Sequence, residues 1–262
     1  MKLQLTRVSH GLPKSVWMIL ILGTVVVLLY TLPASWVSGL LADQTACRVG
    51  LVKPSGSIWQ GSAALGFSEQ SLGGKDGEGC QGPTAITERF AWQMHCELKT
   101  FQCLTTITYP ALEKPMQITW RSSGAVIRAN QVSLPANLLE AMGNPWKTLR
   151  PRGQLLARWT DIQIGDAASG IIRIMISNMA SPISAVTPLG SYEIAGSISP
   201  KASQWVLETT SGPLLLKGKG QWGAQGLQFS GEASSAPEVG EALQGLLALL
   251  GRKEGGVYRL QF

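Results

Sequence analysis

No residue between Ser15 and Ala42 carries a charge, and Val16 to Leu32 is apolar apart from Gly23, Thr24, Tyr30 and Thr31. At about 1.5 Å per residue, roughly 20 residues cross a hydrocarbon layer, and adding Pro33 to Val37 brings the run to that length. The pattern predicts a transmembrane signal anchor over 15–37. Tyr30 and Trp36 would then lie at the outer interface, where amphipathic aromatic side chains are favoured. Lys2, Arg7 and Lys14 precede the run, and the first acidic residue, Asp43, follows it. That asymmetry predicts a cytoplasmic tail over 1–14 and an exported domain over 38–262, periplasmic in a Gram-negative cell. The rival is a cleaved secretory signal. The apolar run is longer than such a signal needs, and Leu32-Pro33-Ala34-Ser35 is a weak cleavage site.

Only 15% of the chain is charged, against roughly a quarter in an average soluble domain. With 45% hydrophobic residues, it is not a disordered chain. Three positive charges of the net +6 lie in the tail, so the exported part is close to neutral. It has no basic run of the kind that binds nucleic acid.

Most of the exported part alternates with period two, the signature of strands with one buried face. Phe90, Trp92, Met94, Cys96 and Leu98 alternate with polar or small residues, as do Phe101, Cys103, Thr105, Ile107 and Tyr109. A hairpin turning at Lys99-Thr100 sets Cys96 opposite Cys103, Met94 opposite Thr105 and Trp92 opposite Ile107. Further strands are predicted over 116–121, 124–130, 153–164, 171–177, 192–198, 204–209, 213–219, 226–233 and 257–262. Residues 71–83, rich in glycine, read as a loop.

Two helices interrupt the strands. Leu134 to Gly143 reads as a short middle helix. Ser235-Ala-Pro-Glu238 has the spacing of a capping box, and Val239, Leu243, Leu246, Leu247 and Leu250 follow at helical spacing up to Gly251. The fold class predicted is mainly β: one transmembrane helix, then a twisted antiparallel β-sheet ectodomain, groove-like on one reading, with a short middle helix and a carboxy-terminal amphipathic helix.

Chemistry finds little support. His10 lies in the tail, which leaves His95 as the ectodomain's one imidazole, on the polar face of the hairpin. Nucleophile-elbow, zinc-protease, P-loop and dinucleotide-binding patterns are absent from the sequence. Asp161 and Asp166 sit near the end of one predicted strand, where a turn role is the default. The expectation is a non-enzyme with no cofactor and no metal. Cys47, Cys80, Cys96 and Cys103 would all meet an oxidising compartment. Four cysteines allow three pairings. The hairpin register favours Cys96 with Cys103, leaving Cys47 with Cys80. A zinc site built on these thiols and His95 is the alternative, disfavoured by the compartment and by the lack of C-x-x-C spacing.

Two segments place tryptophan between glycines: Ser55 to Ala63, with Gly56, Trp59 and Gly61, and Lys219 to Gly223, with Trp222. Such an indole can lie over backbone that has no side chain to obstruct it. The expectation is a structural motif at a close strand approach.

A basic tail, an apolar span ending in Leu32-Pro33-Ala34-Ser35-Trp36, and Ser55-Gly-Ser-Ile-Trp-Gln-Gly-Ser-Ala63 come in that order. Pro188-Leu-Gly-Ser-Tyr192, Phe229-Ser-Gly-Glu-Ala233, the leucine-rich stretch to Leu250, Gly251-Arg252 and Gly256-Val-Tyr-Arg-Leu260 follow. This ordered set resembles the type II secretion system protein N family across nearly the whole chain. The four cysteines and the loop over 71–83 stand outside that resemblance. It implies a non-enzymatic, single-pass inner-membrane component of the machine that exports folded periplasmic proteins. The implied partners are the other inner-membrane platform proteins and, through them, the secretin of the outer membrane.

Gly-interrupted sheets on an anchor are also similar to AsmA-like envelope proteins, whose grooves carry lipid. On that reading Trp59, Trp92, Trp120, Trp159, Trp205 and Trp222 would line a groove; on the ordinary one they are core. An open apolar patch separates the two. An envelope enzyme is the third and least supported class.

Overall fold

The computed structural model describes residues 14–44, 49–67, 85–97, 99–142, 146–223 and 226–261. Most of the predicted tail, the loop over 71–83, Cys47, Cys80 and Gly143 lie outside these. Helix α1 spans Lys14–Thr31 and α2 spans Ser35–Gln44. The expected span over 15–37 is therefore broken. Proline has no amide to donate and disfavours helix at the preceding residue, and Pro33 instead bridges to Ser57. The 18 residues of α1 rise about 27 Å, short of the roughly 30 Å of a hydrocarbon core. Among the described residues no helix is long and apolar enough to cross a membrane.

The rest is mainly β, in two antiparallel sheets where the sequence suggested one. Strands β1 (Val49–Gly56), β2 (Gln60–Phe67), β3 (Ala85–Glu97), β4 (Gln102–Thr108), β5 (Met116–Arg121) and β6 (Gly124–Ile127) follow one another across the first sheet. The chain then enters the second sheet as β7 (Asn130–Pro135) and β8 (Arg152–Trp159), and β9 (Ile162–Gly165) returns to pair with β6. The strands predicted over 124–130 and 153–164 are thus each split at the same level. One two-stranded ribbon serves both sheets, and Arg128-Ala129 and Thr160-Asp161 are its crossing point.

Asp161 fastens that crossing. Its carboxylate accepts from the Ala129 amide at 2.7 Å and from Arg128 Nη1 at 2.8 Å, while Trp159 Nε1 donates to the Arg128 carbonyl at 2.9 Å. The backbone bond first, then the Arg128 bond, hold the Asp161 carboxyl below its ordinary value.

The second sheet is completed by β10 (Gly170–Ala180), β11 (Gly190–Ile198), β12 (Ser203–Ser211), β13 (Leu214–Gly223), β14 (Gly226–Ser235), β15 (Arg252–Glu254) and β16 (Val257–Gln261). Between β7 and β8 the predicted middle helix is a 3-10 helix, Ala136–Met142, followed by the single turn α3, Trp146–Leu149. Leu134 and Pro135 belong to β7 instead. Helix α4 (Gly240–Leu250) buries Leu243, Leu246 and Leu247, the face read from their spacing. The capping box does not form: Ser235 ends β14, Pro237 opens a 3-10 turn, and neither helix start has a side-chain cap bond. At the other end Gly251 is extended, and Arg252 and Lys253 enter strand β15.

Leu189, Tyr192, Leu214, Ala233, Tyr258 and Leu260 form one core with the buried face of α4. Tyr192 donates from its hydroxyl to the Leu214 carbonyl at 3.1 Å, and burial pushes its pKa up. The carboxy-terminal landmarks of the resemblance, Gly251-Arg252 apart, supply this core. The Pro188–Tyr192, Phe229–Ala233 and Gly256–Leu260 segments meet beneath the leucine-rich helix.

Candidate functional site, a clamp at the foot of the first sheet

The segment from Ser55 to Ala63 is the β1–β2 hairpin, and its turn holds the break between α1 and α2. The Ala34 amide donates to the Gly56 carbonyl and the Ile58 amide to the Leu32 carbonyl, each at 3.0 Å. One turn of α2 later, Ser38 Oγ donates to the Leu51 carbonyl at 3.2 Å. Ala34, 1% exposed, packs with Ala63 and Trp92, and Leu51, Phe90 and Ile107 surround them. The α1–α2 break is therefore bonded and packed onto the sheet.

Gly56, Trp59 and Gly61 have different jobs in this clamp. Gly56 has φ +89°, a left-handed backbone that glycine adopts without strain. Gly61 lies under the indole of Trp92, whose ring a Cβ would meet at 2.5 Å. The close approach expected around Trp59 is thus made by Trp92, opposite Gly61 on the neighbouring strand β3. Trp92 Nε1 donates to the Ile58 carbonyl at 3.1 Å, and the Met94 amide bonds the Trp59 carbonyl at 2.6 Å. In the second Gly/Trp segment Trp222 is 59% exposed, and the ring nearest a Cβ at Gly220 is that of Phe229, at 3.3 Å; Trp205 covers Gly196, which lies outside both segments. Sequence reasoning marked Gly61 and Gly220 and missed which ring each receives, because cross-strand register decides it.

Behind the clamp, Arg89 gathers a β1 irregularity. It donates to the Lys53 carbonyl at 3.2 Å and to Ser62 Oγ at 2.8 Å. Lys53 has φ +48°, and the β1–β2 register shifts between Val52 and Ser55. The open depression beside it, about 520 Å³, is lined by amide and hydroxyl side chains such as Gln60, Ser62, Gln93 and Thr106. Such a surface can exchange hydrogen bonds with a partner but brings no acid or base to a reaction.

Cys96 is bonded to Cys103 across the β3–β4 pair, where the two residues face each other in register. Trp92 faces Ile107 and Met94 faces Thr105 in the same ladder. The pairing stops at Glu97 and Gln102, so the turn is wider than two residues. Phe101, expected on the buried face, has φ +49° and is 82% exposed at that tip. His95 is exposed. Asp161 is taken up by the crossing, and Asp166 is an exposed residue of the turn after β9. Among the described residues no three histidine, cysteine or carboxylate side chains gather as metal ligands. Of the six tryptophans considered for a groove, Trp92 is buried, Trp59, Trp159 and Trp205 are half-buried, and Trp120 and Trp222 are exposed.

The family model described as type II secretion system (T2SS), protein N, matches residues 47–261, from just before β1 to the end of β16. No curated protein and no solved structure matches the chain.

Proposed function

Because the chain belongs to the type II secretion system protein N family, we propose that it is an accessory inner-membrane component of that system. It supports export of folded periplasmic proteins across the outer membrane by binding other proteins. The family match carries this reading. Its partners are the inner-membrane platform proteins and, through them, the secretin.

In this proposal α1 is the anchor. Met18, Leu20, Ile21, Leu22, Val27 and Leu28 are each more than half exposed, and a helix apolar all round needs an apolar solvent. The shortfall of about 3 Å against the hydrocarbon core costs only fractions of a kcal/mol per Å and is met by local thinning. Residues 1–14 then stay in the cytoplasm and 38–262 face the periplasm, where the Cys96–Cys103 bond survives. The hydrogen bonds of Leu32 and Ala34 to the β1–β2 turn set the sheet close against the membrane.

Partner strands have few edges to join. Helix α2 packs on β1, the segment at 111–113 bonds the outer side of β7, and Ser169 folds back on β9. Among the described residues, the other outer strand of the second sheet, β15, is three exposed charged residues. Faces and turns therefore carry the binding, a narrower expectation than strand addition.

A lipid-binding groove is the second reading. An open trough of about 620 Å³ runs beside Trp205 and Phe229, and the Trp205 indole nitrogen is buried with no hydrogen-bond partner. The test of the main reading is export. Deleting the gene is expected to lower secreted enzyme in the culture supernatant while the periplasmic form stays active. A supernatant fraction equal to that of the parent strain would refute it.

A further inference from the structure

The β3–β4 hairpin carries a feature that the secretion role leaves unused. The last residue of β3 paired to β2 is Gln93, opposite Gln60. Past Met94, whose amide bonds the Trp59 carbonyl in the β1–β2 turn, the strand to Glu97 is paired on the β4 side alone. Three residues at about 3.4 Å each carry the last rung of the hairpin roughly 10 Å past the β1–β2 turn, the turn bonded to the end of α1. Strand β1 runs in the same direction as β3, so the tip and the exit of α1 lie at one end of the sheet.

That end also exposes apolar surface, on the face where Ala34 packs against Trp92. Cross-strand register sets Cys103, Trp120, Ala125 and Ile164 in one row. Trp120 is 44% and Ile164 52% exposed. At the tip, Phe101 is followed along the ladder by the Cys96–Cys103 bond, which ties the two strands at its base. Lys99 lies at the tip beside Phe101, and Arg121 lies next to Trp120; the anions of that end are Glu97, which accepts from Thr100 Oγ1 at 2.9 Å, and Asp166 in the turn after β9. An exposed aromatic beside cations is the composition that settles at an anionic membrane interface.

We propose that the β3–β4 tip, Lys99 to Phe101, rests in the headgroup layer of the membrane face from which α1 emerges, as a second contact that fixes the tilt of the sheet. The occupant is the bilayer surface. A second foothold turns a domain swinging on one helix into one that presents a fixed face to its partners.

This rests on the reading of α1 as a membrane anchor. The test uses the full chain in vesicles of phosphatidylethanolamine and phosphatidylglycerol, with a benzoylphenylalanine photoprobe at position 101, at Leu22 in α1 or at Trp222 in the second sheet. Lipid adducts are expected at positions 101 and 22. At position 222 they should be about tenfold fewer, the scale of burying one large apolar side chain. Adducts at 22 with no excess at 101 over 222 would overturn the tip proposal and leave the anchor standing. No adduct at 22 would sink the anchor reading and the tip proposal with it. A thermal melt of each variant checks that the exposed substitutions leave the fold intact.

Discussion

Gly61 shows how far a single residue fixes this molecule. A Cβ there would meet the Trp92 ring at 2.5 Å and the Ser55 carbonyl at 2.6 Å, and neither backbone nor a clamped indole can step aside. Gly61→Val is expected to destabilise the protein by about 1–3 kcal/mol, as overpacking does. Gly50→Ala, with nothing within 4 Å, should stay within about 0.5 kcal/mol. Urea unfolding of the full chain in detergent, followed by tryptophan fluorescence, checks both, and equal midpoints for the two variants would contradict the clamp. At this scale the sequence was half legible. Glycine flanking tryptophan announced a close approach, but the ring over Gly61 is that of Trp92 and the one beside Gly220 is that of Phe229. Such partners are fixed by strand order, which no local pattern states. Phe101 failed for a different reason. Its alternation with Cys103 was right, but it lies in the turn beyond the last rung, where there is no core to face.

Among the elements, the strands that alternate cleanly were the legible ones. Met116–Arg121 matches the reading end to end, and β10 to β14 extend it by a few residues. Strands β1, β2 and β7 were missed because glycine, serine and proline dilute their period, and proline at a sheet margin looks like a turn. The crossing of the β6–β7 and β8–β9 ribbon was invisible for the opposite reason, since apolar alternation runs straight through it. Asp161 is the residue that marks it. Its carboxyl is held below the ordinary value of 3.8, so its bonds stabilise the fold above the ordinary carboxylate range. That contribution is lost as pH falls through the lowered value. Asp161→Asn keeps an acceptor for the Ala129 amide but loses the charge shared with Arg128. Its cost at neutral pH should be at most about 1 kcal/mol, because the pair is solvent-exposed. The difference in melting temperature between variant and wild type should shrink as pH is lowered towards about 3, where carboxylates protonate. A difference that grows on acidification would contradict the role given to Asp161.

The whole molecule divides its labour between the two sheets. The second is built on a core of its own, formed by α4 with the segments around Tyr192, Ala233 and Tyr258. The first has its smaller core at the clamp, around Ala34, Ala63 and Trp92, and leaves Trp120 and Ile164 open at the end where α1 departs. The apolar run that dominates the amino terminus is thereby joined to the sheet by named hydrogen bonds, and not by a slack linker. With α1 as the anchor, as proposed above, such a platform fits a component that works by holding other proteins. Crosslinking in native membranes, with the recovered partners identified, tests that claim most directly. The account predicts adducts with other inner-membrane proteins of the type II secretion system. Recovery of lipid with no secretion component would contradict it and favour the groove.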